Sequence, residues 1–168
     1  MEEARMNTAY FAGGCFWCIT PTFQEMVGVR RVVSGYCGGD EADPSYEDVK
    51  YQRTGHRETI RIDYNEARLS YRQLLDVFLA NVDPFDGGGQ FIDRGHSYTL
   101  AVYYQNEPER TQTEEAIARL EQESGKHVFV AVEPFKAFYS AEEEHQDYYL
   151  KNPEAFRKEL IESGRVTE

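Results

Sequence analysis

The order of the predicted secondary-structure elements restricts the fold of this chain more than any other feature. The first six elements run strand, helix, strand, strand, helix and strand, at residues 8–12, 16–26, 29–36, 58–64, 71–82 and 99–104. This order is typical of the split βαβ, or ferredoxin-like, arrangement. We therefore predict an α+β domain with a ferredoxin-like core and a mainly antiparallel sheet.

Hydrophobic periodicity supports the strand and the helix in the middle of this order. Ile60, Ile62 and Tyr64 alternate with polar residues, which is the period of a half-buried strand. Ser70 is a residue type preferred at the N-cap of a helix. The apolar residues of the helix that follows share one face, namely Leu74, Leu75, Phe78, Leu79 and Val82.

Further elements are predicted in the C-terminal third of the chain. Residues 108–124 have a helical pattern that ends at Gly125, and residues 129–135 are predicted as a strand. From residue 141 onward we expect extra C-terminal helices, interrupted at Asn152-Pro153.

Two long stretches, residues 38–57 and 83–98, have few regular apolar patterns. Loops of that length inside a compact domain are usually functional. The 168 residues correspond to one domain, and we expect residues 1–6 and 160–168 to be flexible tails.

The charge balance excludes several classes of partner. The chain has 18 Lys and Arg residues against 30 Asp and Glu residues, a net charge of −12. Proteins that bind a phosphate backbone or an anionic membrane need a basic surface, so we expect neither partner. The N-terminus lacks the apolar run of a signal peptide, and the longest uncharged stretch, residues 7–24, is too rich in Gly, Pro and Thr for a membrane span. We expect a monomeric cytoplasmic protein.

The three cysteines are too few for a disulfide scaffold and are more typical of reactive or reduced thiols. Cys15 follows Gly13-Gly14 at a predicted junction of a strand and a helix. The positive end of a helix favours the thiolate, so Cys15 is a better candidate nucleophile than Cys18 or Cys37. The alternative is a buried structural thiol.

Two other interpretations of the cysteines are open. Cys15 and Cys18 form a Cys-x-x-Cys pair, which could be a thioredoxin-like redox motif. A zinc site would need further ligands, and none of the candidates has paired spacing: Cys37, His56, His96, His127 and His145.

A series of motifs follows Gly14-Cys15-Phe16-Trp17-Cys18 in a fixed order over about residues 8–153. They are Phe23, Gly28-Val29, Gly35-Tyr36, Gly38-Gly39, Asp43-Pro44-Ser45-Tyr46, Thr54-Gly55-His56-Arg57-Glu58, Leu74-Leu75, Phe78, Asp83-Pro84, Asp93-Arg94-Gly95, Tyr98, Phe138-Tyr139-Ser140-Ala141-Glu142 and His145-Gln146. In type and order these motifs resemble the A-type (MsrA) peptide methionine sulfoxide reductases.

The resemblance implies a reaction and a set of catalytic residues. A thiolate must attack the sulfoxide sulfur, and the oxygen must receive a proton. By similarity Cys15 is the nucleophile and Glu58 is the acid, so we expect Glu58 in a largely dry pocket that raises its pKa. Tyr46 and Tyr98 match tyrosines that hydrogen-bond the sulfoxide oxygen, and Asp93 matches an acidic residue of the same site.

The resemblance also implies how the substrate binds and which reductant is used. Phe16 and Trp17 match the apolar wall around the substrate methyl group, consistent with favourable sulfur–aromatic contact. The substrate would be the S epimer of methionine sulfoxide, free or in oxidised proteins. No metal or organic cofactor is needed, because the electrons come from thiols, with thioredoxin as the expected reductant. His56 is expected to shape its loop, and His145 to lie on a charged helix face.

The chain departs from many family members in its resolving cysteine. No cysteine follows Cys37, so the sulfenic acid on Cys15 needs another partner. Our hypothesis is that Cys37, which precedes Gly38-Gly39, resolves it. Cys18 and an external thiol are the alternatives. The sequence also differs from the common family pattern at Thr20, Val82, Thr99 and residues 87–93. These differences affect substrate contacts more than the chemistry.

Two other functions were weighed against sulfoxide reduction. The first is a thioredoxin-like thiol–disulfide oxidoreductase that uses the Cys-x-x-Cys pair. The second is a non-enzymatic reader of methionine sulfoxide.

Overall fold

The structure, a computed structural model, describes residues 6–91 and 93–142, and only the backbone of Trp17. The predicted C-terminal helices, the tail 160–168 and His145 therefore lie outside the described residues. Met6, which was expected in a flexible tail, is the first residue of a strand. Within the described part of the chain, no helix has the length and apolar character that a bilayer crossing requires.

A six-stranded sheet forms the framework. Its strands are β1 (Met6–Gly13), β2 (Val29–Cys37), β3 (Arg57–Asn65), β6 (Leu100–Tyr104), β7 (Val130–Pro134) and β8 (Phe138–Ser140). They lie in the order β7-β6-β1-β3-β2-β8, and every neighbouring pair is antiparallel except β6 with β7. The predicted α+β class with a mainly antiparallel sheet is confirmed.

In the part of the chain that the structure describes, four α-helices accompany the sheet: α1 (Phe16–Gln24), α2 (Tyr46–Lys50), α3 (Tyr71–Ala80) and α4 (Glu107–Ser124). The predicted cap of α3 is present, since Ser70 and Gln73 form a reciprocal capping box. At the end of α4, Gly125 adopts the left-handed conformation that glycine tolerates best.

One α-helix and three strands of the described residues were not predicted, namely α2, β8, and the two strands of a small hairpin, β4 (Gly89–Gln90) and β5 (Asp93–Arg94). The hairpin lies within a stretch predicted to be a loop, as does α2. Each of these elements is two to five residues long, too short to show a hydrophobic period.

The main core lies between one face of the sheet and helices α1, α3 and α4. Ile60, Ile62 and Tyr64 all point into it, which confirms the predicted alternation of β3. The core also contains the apolar face of α3 and a group of aromatic and aliphatic side chains from β1, α1 and β6, including Phe11, Phe16, Ile19, Phe23, Leu74, Leu75, Phe78, Leu100 and Val102.

The sheet is strongly curled, and the chain length between two strands requires it. β7 and β8 stand at opposite ends of the strand order, yet only residues 135–137 connect them. Four residue steps span at most about 14 Å, whereas five strand spacings in a flat sheet would span about 24 Å. The two edges must therefore approach each other.

The concave face holds a second, smaller core. It consists of Ala12, Cys37, Ala101 and Tyr103, with the rings of Tyr10, Phe135 and Phe138 packed over it. Phe135 stacks on Tyr10 with 4.1 Å between ring centroids. The connection from β7 to β8 thus closes the concave side of the sheet.

Candidate active site

Cys15 lies where β1 passes into α1. It occupies the N-cap of α1 in an extended conformation and is 5 % exposed. A Cβ at Gly13, two residues before it, would lie 2.7 Å from Ile19 Cδ1 and 3.1 Å from Phe78 Cε1, so a larger residue there would force these side chains to shift. Gly14 adopts a positive φ of 86°, which glycine permits at little cost. These glycines hold the Cys15 backbone at the positive end of the helix.

Glu58 projects from the start of β3 into the same region and is 1 % exposed, as the sequence analysis expected. Burial raises the pKa of Glu58 to about 8, and the negative charge of Asp93 adds to this effect. Phe16 N donates a hydrogen bond to Glu58 Oε1 at 3.3 Å and opposes the shift. The carboxyl is therefore largely neutral at pH 7.

The proton of this neutral carboxyl has a definite position. Oε1 accepts the hydrogen bond from Phe16 N, which leaves the proton on Oε2. The Tyr98 hydroxyl lies close enough to lower the pKa of Glu58 slightly, but within residues 6–91 and 93–142 Oε2 has no hydrogen bond of good geometry. Oε2 is thus able to donate its proton to a bound ligand.

Tyr98 ends a short 3-10 helix (His96–Tyr98) and is 8 % exposed. Burial, followed by the charges of Glu58, Tyr46 and Cys15, raises the pKa of Tyr98 well above its usual range. The hydroxyl therefore keeps its proton as a hydrogen-bond donor. These electrostatic contributions also show that the tertiary structure brings Cys15, Glu58, Tyr46 and Tyr98 together.

Aromatic rings form one wall of this region. The fully buried Phe16 ring lies 6.2 Å from the Tyr46 ring and 6.0 Å from the Tyr36 ring, between centroids. Asp93 lies on β5 and is partly exposed, and its charge acts on both Glu58 and Tyr98. The side chain of Trp17, expected in the same wall, lies outside the described residues.

Tyr36 and Glu142, two residues for which the sequence predicts no role, organise the site. The Tyr36 hydroxyl donates to Glu142 Oε1 at 3.1 Å, and Tyr46 N donates to Glu142 Oε2 at 3.3 Å. Tyr36 also stands directly opposite Glu58 in the pairing of β2 with β3. Both residues belong to the matched motifs, but only the tertiary structure shows that Glu142 bridges two tyrosines.

His56 shapes the loop that leads to α2. It is fully buried, its Nδ1 accepts from Gly39 N at 3.1 Å, and its Nε2 donates to Glu41 O at 2.7 Å. This is a neutral imidazole with both nitrogens engaged with backbone, in agreement with the structural role expected for it.

The other two cysteines occupy different environments. Cys18 lies on α1, one turn from Cys15, and is half-buried. Cys37 is fully buried on the concave face, where burial raises the pKa of its thiol to about 12. Because side chains alternate along a strand, Cys37 points away from the face that carries Tyr36 and Glu58.

No candidate metal site is found among the described residues, where groups of three or more His, Cys, Asp or Glu side chains arranged for a metal ion are absent. Cys15, Cys18 and Cys37 form no disulfide bond with one another. The region described above is therefore a cluster of one thiol, one neutral carboxyl, two tyrosine hydroxyls and an aromatic wall. Such a cluster can bind a small polar group, donate protons to it and attack it with sulfur.

The chain is similar to known proteins over nearly its whole length. A family described as peptide methionine sulfoxide reductase matches residues 7–167. A peptide methionine sulfoxide reductase MsrA from Halalkalibacterium halodurans is 43 % identical over 166 residues, which cover 97 % of this chain and 94 % of the relative.

Solved structures share the fold. The reduced form of Mxr1 from Saccharomyces cerevisiae has a TM-score of 0.84 at 26 % identity, covering 90 % of this chain and 88 % of Mxr1. Methionine sulfoxide reductase A of Corynebacterium diphtheriae has a TM-score of 0.80 at 27 % identity, covering 88 % and 76 %. Mxr1 has also been solved in complex with Trx2, with a TM-score of 0.59 at 18 % identity, covering 86 % of each chain.

Proposed function

This chain belongs to the peptide methionine sulfoxide reductase family, and we propose that it reduces the S epimer of methionine sulfoxide, free or in oxidised proteins. In this proposal Cys15 is the nucleophile and Glu58 is the acid. The observation that carries it is the buried carboxyl with a pKa of about 8, hydrogen-bonded to the first amide of the helix that Cys15 caps.

The proposed first step moves one oxygen from substrate to enzyme. The Cys15 thiolate attacks the sulfoxide sulfur while Glu58 Oε2 gives its proton to the sulfoxide oxygen. The hydroxyl then transfers from the substrate sulfur to the Cys15 sulfur, so that the substrate S–O bond and the newly formed S–S bond both break, methionine leaves, and Cys15 becomes a sulfenic acid. The hydroxyls of Tyr46 and Tyr98 donate hydrogen bonds to the oxygen as negative charge develops on it. Asp93 favours the neutral form of Glu58 through its own charge.

The apolar wall is proposed to bind the methyl group of the substrate. Phe16 is the described part of this wall, and by family similarity Trp17 completes it around the substrate methyl group. Sulfur and methyl groups pack favourably against aromatic rings. A chiral sulfur with its oxygen held by the tyrosines and its methyl by the wall fits in one configuration, which supports selection of a single epimer.

An assay with racemic methionine sulfoxide tests this function directly. The protein is mixed with the racemate and dithiothreitol, and the methionine formed and the epimer left over are measured. We expect half of the racemate to be consumed and the R epimer to remain. Absence of turnover would reject the proposal, and insulin reduction without methionine formation would favour the thiol–disulfide oxidoreductase. Stoichiometric binding without turnover would indicate the reader.

The positions of Cys37 and Cys18 in the reduced protein bear on which of them resolves the sulfenic acid. For Cys37 to attack the sulfenic acid, the end of β2 must leave the sheet, because Cys37 is buried on the concave face and pairs with Phe138 of β8. Cys18 needs less movement. Cys15 caps α1 and Cys18 lies in its first turn, where Cys18 N donates to Cys15 O at 3.1 Å, so both thiols belong to one short segment of the chain. The geometry of the reduced protein thus favours Cys18.

Peptide mapping after one turnover without reductant separates these routes. From the reduced structure we expect a Cys15–Cys18 disulfide, formed with release of water when the Cys18 thiol attacks the Cys15 sulfenic acid. A Cys15–Cys37 link would establish the original hypothesis instead and show that β2 opens during the cycle. A persistent sulfenic acid on Cys15 would indicate resolution by an external thiol.

A dithiol protein such as thioredoxin is the proposed reductant of the resulting disulfide. Mxr1 of Saccharomyces cerevisiae, solved in complex with Trx2, supports this choice. The acidic charge and the three free thiols support the proposal of a monomeric, cytoplasmic, single-domain enzyme that needs no metal or organic cofactor.

The ferredoxin-like assignment of the core is also our proposal. The four strands β6-β1-β3-β2 are consecutive neighbours and antiparallel throughout. α1 connects β1 to β2, and α3 connects β3 to β6. Two crossover helices interleaved with four such strands support the split βαβ topology.

A further inference from the structure

We propose that Gln52 is a positioning residue that sets Tyr46 and Tyr98 relative to each other, an inference that rests on the proposed function. Gln52 follows the short helix α2, whose first residue is Tyr46, and Ser97 immediately precedes Tyr98. Gln52 Nε2 donates to Ser97 Oγ at 2.7 Å, and Ser97 N donates to Gln52 Oε1 at 3.0 Å. One side-chain amide thus joins the two segments that carry the tyrosines.

Both residues of the Gln52–Ser97 connection are fixed by burial or by further hydrogen bonds. Ser97 is 1 % exposed, so its hydroxyl and amide would be costly to leave without partners. Gln52 is anchored locally, because its backbone N donates to Val49 O and its Nε2 also donates to Lys50 O. A second bond, between His96 Nε2 and Gly55 O at 3.0 Å, runs parallel to it on the exposed side.

The backbone of Gln52 indicates that the connection is maintained against strain. Gln52 has a φ of 61°, a left-handed conformation that residues with a side chain adopt rarely. Opposite it, Gly95 has a φ of 120°, and a Cβ there would lie 2.8 Å from Gln52 Cδ. Such conformations persist where surrounding contacts determine them, and they cluster at functional sites.

The connection matters because both tyrosine hydroxyls must reach one oxygen atom. Tyr46 contributes to the raised pKa of Tyr98, so the two hydroxyls already lie near each other in the absence of substrate. A displacement of about 1 Å in a catalytic group can reduce a rate by up to about 10²-fold. Loosening α2 from the 3-10 helix would therefore lower the rate of oxygen protonation while leaving the apolar wall for the methyl group in place.

Gln52→Gly is the variant that separates positioning from stability. Glycine accepts the left-handed backbone without strain, which offsets part of the cost of leaving Ser97 without its Gln52 partners, so the melting temperature should fall by only a few degrees. We expect kcat for methionine sulfoxide to fall about tenfold and KM to change less than twofold. Gln105→Ala is the matched control, since Gln105 also uses its amide to bind backbone, at Thr8 O, but far from the tyrosines; its kcat should equal that of the wild type.

A double-mutant cycle with Tyr98→Phe identifies the route of the effect. If Gln52 acts through Tyr98, Gln52→Gly should lower kcat by less than about twofold in the Tyr98→Phe background. An equal loss in both backgrounds, or a Gln52→Gly enzyme with wild-type kcat, overturns the role of Gln52 while leaving the reductase activity established. A wild-type protein without activity overturns the proposed function itself, and the role of Gln52 with it.

Discussion

Cys15→Ser should reduce methionine formation from racemic methionine sulfoxide by about 10³-fold or more, because a hydroxyl cannot replace a thiolate as the attacking group. The helix N-terminus that favours the Cys15 thiolate does little for a serine, whose hydroxyl stays protonated. The measurement is methionine formed per minute with excess dithiothreitol, by chromatography. The fold should be retained, since serine is close to cysteine in size.

Cys18→Ser and Cys37→Ser are the matched controls for this variant. Each retains Cys15 and Glu58, so without reductant each should still form about one equivalent of methionine per protein molecule in a single turnover. Cys15→Ser should form none. Full activity of Cys15→Ser, or loss of the single turnover in either control, would contradict the assignment of the nucleophile.

Glu58→Gln should lower the rate by about 10²- to 10⁴-fold, the usual contribution of a general acid. The amide still accepts the hydrogen bond from Phe16 N, so the pocket stays intact while its transferable proton is lost. In the wild type the protonated fraction of Glu58 falls as pH rises through about 8, the pKa that burial imposes. The rate of the first turnover should fall above pH 8 in the wild type, and this decline should be absent in Glu58→Gln.

Glu58→Gln should raise the stability of the folded protein at high pH, although it lowers the rate of the reaction. The pKa of Glu58 is higher in the folded than in the unfolded state, where it is 4.5, so the folded state holds more protons between these values. Its stabilising contribution is complete below pH 4.5 and is lost as pH rises through about 8. Because glutamine cannot ionise, Glu58→Gln should be more stable than the wild type above pH 8.

Urea denaturation at pH 6 and pH 9 measures this difference. Glu123→Gln, at the exposed end of α4, is the control and should show the same pH dependence as the wild type. A Glu58→Gln protein that loses stability between pH 6 and pH 9 as steeply as the wild type would show that Glu58 is already ionised in the folded state at pH 6, and that burial does not raise its pKa into this range.

Several features of the fold could be predicted because they depend on neighbours in sequence. The cap at Ser70, the alternation of Ile60 and Ile62, and the end of α4 at Gly125 were all expected and are all present. Both long stretches also supply residues of the candidate site: one contains α2, with Tyr46 at its start, and the other contains Asp93 and Tyr98.

What could not be predicted depends on residues far apart in the chain. The face on which Cys37 lies follows from the register of β2 with β3, and its burial follows from the curl that brings β7 and β8 together. The bridge from Tyr36 through Glu142 to Tyr46 spans 106 residues of sequence. The pKa of Glu58 likewise reflects burial by the whole fold rather than by its neighbours.

The sequence by itself determined the element order and, through its motifs, the cysteine and carboxyl expected to perform the chemistry. Both depend on residues that are close in sequence, namely on helix caps, hydrophobic periodicity and short motifs. Only the tertiary structure decided that Cys37 is buried on the face of the sheet opposite to Tyr36 and Glu58, and that Gln52 joins the two tyrosine segments. Strand pairing and sheet curvature set these positions, since they alone bring distant parts of the chain together.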